Sequence, residues 1–206
     1  MPKQIYKRPV VLSIAGFDPS GGAGVVADCK TFEQHRLIGL SVITANTVQT
    51  EDSFTSINWI DQSLILKQLE TLLSNYQVSY VKIGMVPSLS FLSKALDLIH
   101  SNTKTPCVVW DPVLGSSTGK DFELNLDGLE KILPQLFLLT PNIPELKKMG
   151  GKQALKKVNL LIKGGHAEHK DQIGIDALVL KTGKSYQIKP RNKRPVFPKH
   201  GSGCVF

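Results

Sequence analysis

Ala15 to Gly24 reads AGFDPSGGAG and follows the apolar run Val10-Val11-Leu12-Ser13-Ile14. Gly16, Gly21, Gly22 and Gly24 let the backbone turn sharply and come close to a ligand. A helix is expected to begin near Ala23, so its free N–H groups should face the space above the strand end. That junction predicts a site for a small, polar or anionic molecule.

Three oxygen-bearing residues recur further along. Asp111, Asn142 and Glu145 offer hard donor atoms, which suit Mg²⁺ better than zinc or copper. Lys163 ends the apolar run Leu160-Leu161-Ile162, and a lysine at the mouth of a buried strand needs an anionic partner. Together these four suggest a magnesium-bound nucleotide, with Lys163 on phosphate. Near the end of the chain, His200-Gly201-Ser202-Gly203-Cys204 has the composition of a backbone nest that stabilises charge on a transferring phosphoryl group. Cys204 there is a base or a positioned thiol; a glycine turn with a buried cysteine explains the same letters. Gly115 to Lys120 looks like a P-loop, but its glycines are one residue too close and Asp121 stands where a hydroxyl residue belongs. His166 and His169 lack fixed-spacing partners and read as surface residues.

These residues need a scaffold that gathers them. Strands are expected at Val10–Gly16, Leu40–Thr47, Tyr80–Gly84, Cys107–Asp111, Leu136–Thr140 and Asn159–Lys163. Helical periodicity marks Ser63–Asn75, with Leu64, Ile65, Leu69, Leu72 and Leu73 on one face, and Ser90–His100. Wholly apolar strands alternating with helices predict an α/β fold whose parallel sheet is covered on both faces. The runs around Thr182-Gly183-Lys184 predict a β-hairpin at the sheet margin. Ligands of such sheets bind beyond the carboxyl ends of the strands. Gly16, Gln49, Gly84-Met85, Asp111, Asn142 with Glu145, and Lys163 all fall there, so one shared cleft is expected.

The 206 residues suit a single domain, and 41% hydrophobic with 20% charged residues is a globular composition. No apolar run has membrane-spanning length and no signal-peptide core opens the chain, so neither a membrane nor a secretory route is expected. Three widely spaced cysteines fit a reducing, cytoplasmic setting. The net charge of +8 is concentrated after Lys147, where 14 Lys or Arg face only Glu168, Asp171 and Asp176. Aromatic residues are scarce in that segment, which argues against single-stranded nucleic acid. A solvated basic face and an anionic small molecule account for the charge better.

With these residues assembled, the chain resembles the hydroxymethylpyrimidine/phosphomethylpyrimidine kinases of thiamine biosynthesis, a branch of the ribokinase-like superfamily, from about Val10 to Phe206. The motifs are AGFDPSGGAG, SVITANTVQT, KIGM, DPVLGSSTG, TPNIPE, IKGGH and HGSGC, in family order. The resemblance implies a three-layer α/β/α sandwich with a mostly parallel sheet. It implies ATP-dependent transfer to the hydroxymethyl group of an aminopyrimidine and then to its monophosphate, with Mg²⁺, in a homodimer. On matching positions, Gln49 would hydrogen-bond the pyrimidine, and Gly16, Ala23, Met85 and Val113 would line its pocket. Asp28 would play a supporting role. Asp111 and Glu145 would serve the metal, and Asn142 and Lys163 the ATP phosphates. Gly201, Ser202, Gly203 and Cys204 would form the anion hole, Cys204 standing where many relatives have an aspartate base.

The family continues past its GSGC-like motif with a helix that completes this hole, whereas the chain stops at Phe206; the expectation is a domain lacking its C-terminal helices. The stretch from Glu145 to Lys163 is also shorter than is usual in the family. Pyridoxal kinase activity is the nearest alternative, since both substrates are flat nitrogen heterocycles bearing a hydroxymethyl group. A non-catalytic pyrimidine-binding module is the alternative from a different class, with a nucleic-acid binder third.

Overall fold

The computed structural model describes residues 7–115, 122–166 and 174–190. Nine strands form one sheet in the order β3-β2-β1-β4-β5-β6-β7-β8-β9. These are β1 (Val10–Phe17), β2 (Ile38–Gln49), β3 (Phe54–Trp59), β4 (Val78–Ile83), β5 (Cys107–Trp110), β6 (Leu138–Leu139), β7 (Asn159–Ile162), β8 (Asp176–Val179) and β9 (Ser185–Ile188). The six strands β1, β2 and β4 to β7 run parallel. β3, β8 and β9 are antiparallel additions at the two margins.

The expected parallel strands and the marginal hairpin are all present. Sequence reading missed β3, whose burial is patchy and in which Thr55, Asn58 and Trp59 are exposed. An edge strand lacks the continuous apolar run that marks a central one. β2 is also longer than expected, and so Gln49 becomes its last residue rather than part of a following turn.

Alternation along β1 divides the interior. Val10, Leu12 and Ile14 join the main core with β4, β5 and two long helices, α2 (Gln62–Asn75) and α3 (Leu89–Asn102). Ser13 points the other way, onto α1 (Gly24–Gln34), where it meets Asp28. Helices therefore cover both sheet faces, as period-two strands buried on both sides require. α2 is capped by Asp61, which accepts from the backbone N–H groups of Ser63 and Leu64, and α3 by Ser88, which accepts from that of Phe91. Within α2, Ile65, Leu69 and Leu73 are fully buried; Leu64, read as part of the same face, is 48% exposed. At 100° per residue Leu69 centres the buried stripe, and Leu64 points roughly 140° away from it. Three short helices follow: α4 (Leu129–Ile132), α5 (Ile143–Lys148) and α6 (Gly151–Ala154). Among the described residues no helix is long and apolar enough to cross a membrane.

Candidate active site

The carboxyl end of β1 passes into α1 through Asp18-Pro19-Ser20-Gly21-Gly22-Ala23. Asp18 is 2% exposed and organises this loop. Its carboxylate accepts from the backbone N–H groups of Ser20 (2.9 Å), Gly22 (3.2 Å) and Ala23 (2.9 Å), and from the Ser20 hydroxyl. The N–H groups at the head of α1, expected to face a small, polar or anionic molecule, are already paired within the chain. The chain supplies its own carboxylate, two residues past Gly16, and a side chain at that distance is always present where a free anion must be recruited. Gly24 seals the junction: its φ is +58°, and a Cβ there would lie 2.1 Å from the Gly16 carbonyl oxygen.

Above this loop lies a small, partly open cleft, lined by the ends of β1, β2 and β4 and by Val113. Five residues singled out for a pyrimidine, Gln49, Gly16, Ala23, Met85 and Val113, all line it. Local hydrogen bonds fix the walls. The Thr44 hydroxyl donates to the Met85 carbonyl at 2.7 Å, and the Thr47 hydroxyl donates to the Phe17 carbonyl at 2.9 Å. Its surface is mostly apolar with a few polar groups, the character of a site for a small flat molecule.

A second cluster occupies the ends of β5, β6 and β7. Lys163 Nζ donates to Asp111 Oδ1 at 2.6 Å, and the Thr140 hydroxyl reaches the same oxygen at 3.2 Å. Asn142 and Glu145 form a reciprocal capping box at the start of α5: the Glu145 N–H donates to Asn142 Oδ1, and the Asn142 N–H donates to Glu145 Oε2, both at 2.8 Å. Glu145 is 7% exposed and Asp111 4%. Burial pushes the Glu145 carboxyl above the ordinary glutamate range, and Asp111 adds to the rise; the Asn142 N–H, Lys163 and the Leu114 N–H oppose it. Lys163, expected to find its anion in a ligand, thus already has one in Asp111. Asn142 has its side-chain oxygen committed to the cap, leaving its Nδ2 hydrogens as donors.

The segment 111–114 borders both places. Asp111 pairs with Lys163, Val113 lines the cleft, and the Leu114 N–H serves Glu145. Asp111, Asn142, Glu145 and Lys163 therefore gather beside the residues around Gln49. Gly201, Ser202, Gly203 and Cys204 lie outside the described residues, as do His169 and the P-loop-like stretch beyond Gly115. Among the described residues no group of three or more His, Cys, Asp or Glu could hold a metal ion. Two oxygen-bearing carboxylates still suit magnesium, which keeps several waters and takes its remaining ligands from substrate phosphates.

Sequence reading missed two residues of the site, Asp18 and Lys82. Asp18 carried a signal in the Asp-Pro-Ser-Gly order of an Asx turn. Lys82 interrupts an apolar strand just as Lys163 ends one. It lines the cleft and pairs with Asp28, its Nζ 2.9 Å from each carboxylate oxygen.

Comparison with known proteins places the chain in a family. A family model described as phosphomethylpyrimidine kinase matches residues 18–206. A hydroxymethylpyrimidine/phosphomethylpyrimidine kinase of Saccharomyces cerevisiae is 35% identical over 225 residues; the match takes in 97% of this chain but only 40% of that protein. One from Aquifex aeolicus is 32% identical over 217 residues, covering 96% of this chain and 82% of the relative. Among solved structures, the phosphomethylpyrimidine kinase of Clostridium difficile superposes with a TM-score of 0.73 at 30% identity, covering 88% of this chain and 84% of that one. The pyridoxal kinase of Staphylococcus aureus, in complex with AMP-PCP and pyridoxal, gives 0.76 at 27% identity, covering 96% and 77%.

Proposed function

We propose, from the premise that the chain belongs to the phosphomethylpyrimidine kinase family, that it transfers the γ-phosphoryl group of ATP to the hydroxymethyl group of 4-amino-5-hydroxymethyl-2-methylpyrimidine and then to the resulting monophosphate. The observation that carries this reading is the cleft in which Gln49, Gly16, Ala23, Met85 and Val113 stand together beside the Asp111–Lys163 pair.

In this reading the cleft seats the ring. Gln49 offers both an amide donor and an acceptor at the end of β2, matching the alternating donors and acceptors of an aminopyrimidine edge. Lys163 and the Asn142 amide face the triphosphate. Asp111 and Glu145 would hold Mg²⁺, which neutralises phosphate charge when bound. A loose phosphoryl-transfer transition state asks mainly for positioning and charge stabilisation. The rigid loop held by Asp18 and the clamped carboxylates are suited to that task. Gly201, Ser202 and Gly203 would complete an anion hole, with Cys204 as base or positioned thiol. A homodimer in the cytoplasm belongs to the same reading.

The superposition with pyridoxal kinase favours pyridoxal as a second acceptor. Parallel turnover assays with magnesium–ATP and each acceptor are expected to give a higher kcat/KM for the pyrimidine. Preference for pyridoxal would replace the first substrate, and binding of the pyrimidine without product would reduce the chain to a non-catalytic binding module.

A further inference from the structure

Few polar side chains of the cleft remain available to a ligand. Asp18 is spent on its loop, and the Thr47 hydroxyl on the Phe17 carbonyl. Gln49 and Lys82 remain. Lys82 lies on β4 directly opposite Ser13 of β1, and both reach Asp28 of α1. The Ser13 hydroxyl donates to Asp28 Oδ2 at 2.5 Å, so the carboxylate, 4% exposed, is fixed from two sides. An ammonium has three N–H donors. Two suffice for the two Asp28 oxygens, and one is left on the cleft side. Gly84 keeps that side open: a Cβ at position 84 would stand 3.6 Å from Lys82 Nζ and 3.1 Å from the Ala15 Cβ. A side chain there would cover the ammonium.

We propose that Lys82 is a specificity-determining residue of the cleft, its ammonium anchored on Asp28 and donating its remaining N–H to a ring nitrogen of the pyrimidine. The assignment rests on the function proposed above. Lysine and aspartate together carry no net charge, so the pair attracts an anion weakly while remaining a strong donor to a neutral sp² nitrogen. An apolar pair of similar volume would join sheet and helix equally well or better. The charged pair at the floor of a cleft is thus accounted for by recognition rather than by stability.

The test measures binding by calorimetry, independently of turnover, for the hydroxymethylpyrimidine and its two monodeaza analogues, each with C–H in place of one ring nitrogen. Against the wild-type chain, one analogue is expected to bind on the order of 10- to 100-fold more weakly, as loss of a hydrogen bond to a charged donor does. The D28N/K82M double variant, which leaves no unpaired buried charge, should bind the parent pyrimidine with that same loss and the sensitive analogue with wild-type affinity. Equal losses for both analogues in the two proteins, or wild-type binding of the parent by the double variant, would overturn the assignment. Should the double variant not fold, the wild-type series decides, because undiminished binding of both analogues also refutes it. Tight, analogue-sensitive binding without phosphorylation would refute the kinase and leave the Lys82 assignment standing.

Discussion

Lys82 and Lys163 each meet a nearly buried aspartate, at 2.9 Å on helix α1 and at 2.6 Å beyond the end of β5. Around Lys82 each carboxylate has partners of its own: the ammonium faces Asp28, and the nearby Asp18 carboxylate is met by backbone N–H groups and a hydroxyl. Around Lys163 two carboxylates are coupled to one ammonium. Lys163 pairs with Asp111, while burial first, and Asp111 after it, make Glu145 hold its proton more tightly than an ordinary glutamate. In the first region the two carboxylates are paired separately. In the second they act on one another and on the same ammonium. On the function proposed above, the difference would let one sheet edge serve a neutral ring and a metal-bound polyphosphate side by side.

The sharpest way to break this contrast is Lys163→Met. Two buried carboxylates would then face each other without their ammonium, at a cost of about 3–5 kcal/mol in stability. Turnover with magnesium–ATP is expected to fall on the order of 100-fold or more. Thermal unfolding and steady-state kinetics check both, and unimpaired activity would remove Lys163 from the phosphate side.

A smaller loss is expected from Asp18→Ala. It strands the N–H groups of Gly22 and Ala23, an effect of about 1–3 kcal/mol. The KM for the pyrimidine should rise while that for ATP holds, since the loop walls only the first region. An equal rise in both would show the two regions to be one mechanical unit.

Least affected should be Asp61→Ala, remote from both. Asp61 caps α2, and the Ser63 hydroxyl first, then the Leu64 N–H, hold its carboxyl below the ordinary aspartate range. The cap therefore contributes stability above the usual carboxylate range and loses it as pH falls through the lowered value. Denaturant titrations should find the wild type modestly ahead of the variant at neutral pH, level with it in strong acid, and alike in activity.

The sheet's central strands were legible because each is apolar on both faces, and the ligand side followed from the rule that parallel strands present their carboxyl ends. β3 was not, since an edge strand needs no such pattern. Gln49, Met85 and Val113 could be named from their motifs, although more than sixty residues separate the first from the last. Partners were harder. That Asp18 answers the loop's own N–H groups, and that Asp111 answers Lys163, depends on side-chain directions that spacing does not encode. Lys82 carries the same signal as Lys163, a lone lysine in an apolar run, but lies within its strand rather than at its mouth.

The shortness of β6 has a consequence for motion. Leu138–Leu139 forms the narrowest rung of the sheet, flanked by four-residue neighbours, while β1, β2 and β4 run six to twelve residues. Amide protons in the narrow half should exchange with solvent sooner than those of β1, because fewer hydrogen bonds must break together to expose them. Breathing at that rung would change the spacing between Asp111 and Glu145 and reach the seat around Gln49 only through Val113. The molecule would thus be stiff where it judges shape and yielding where it gathers charge.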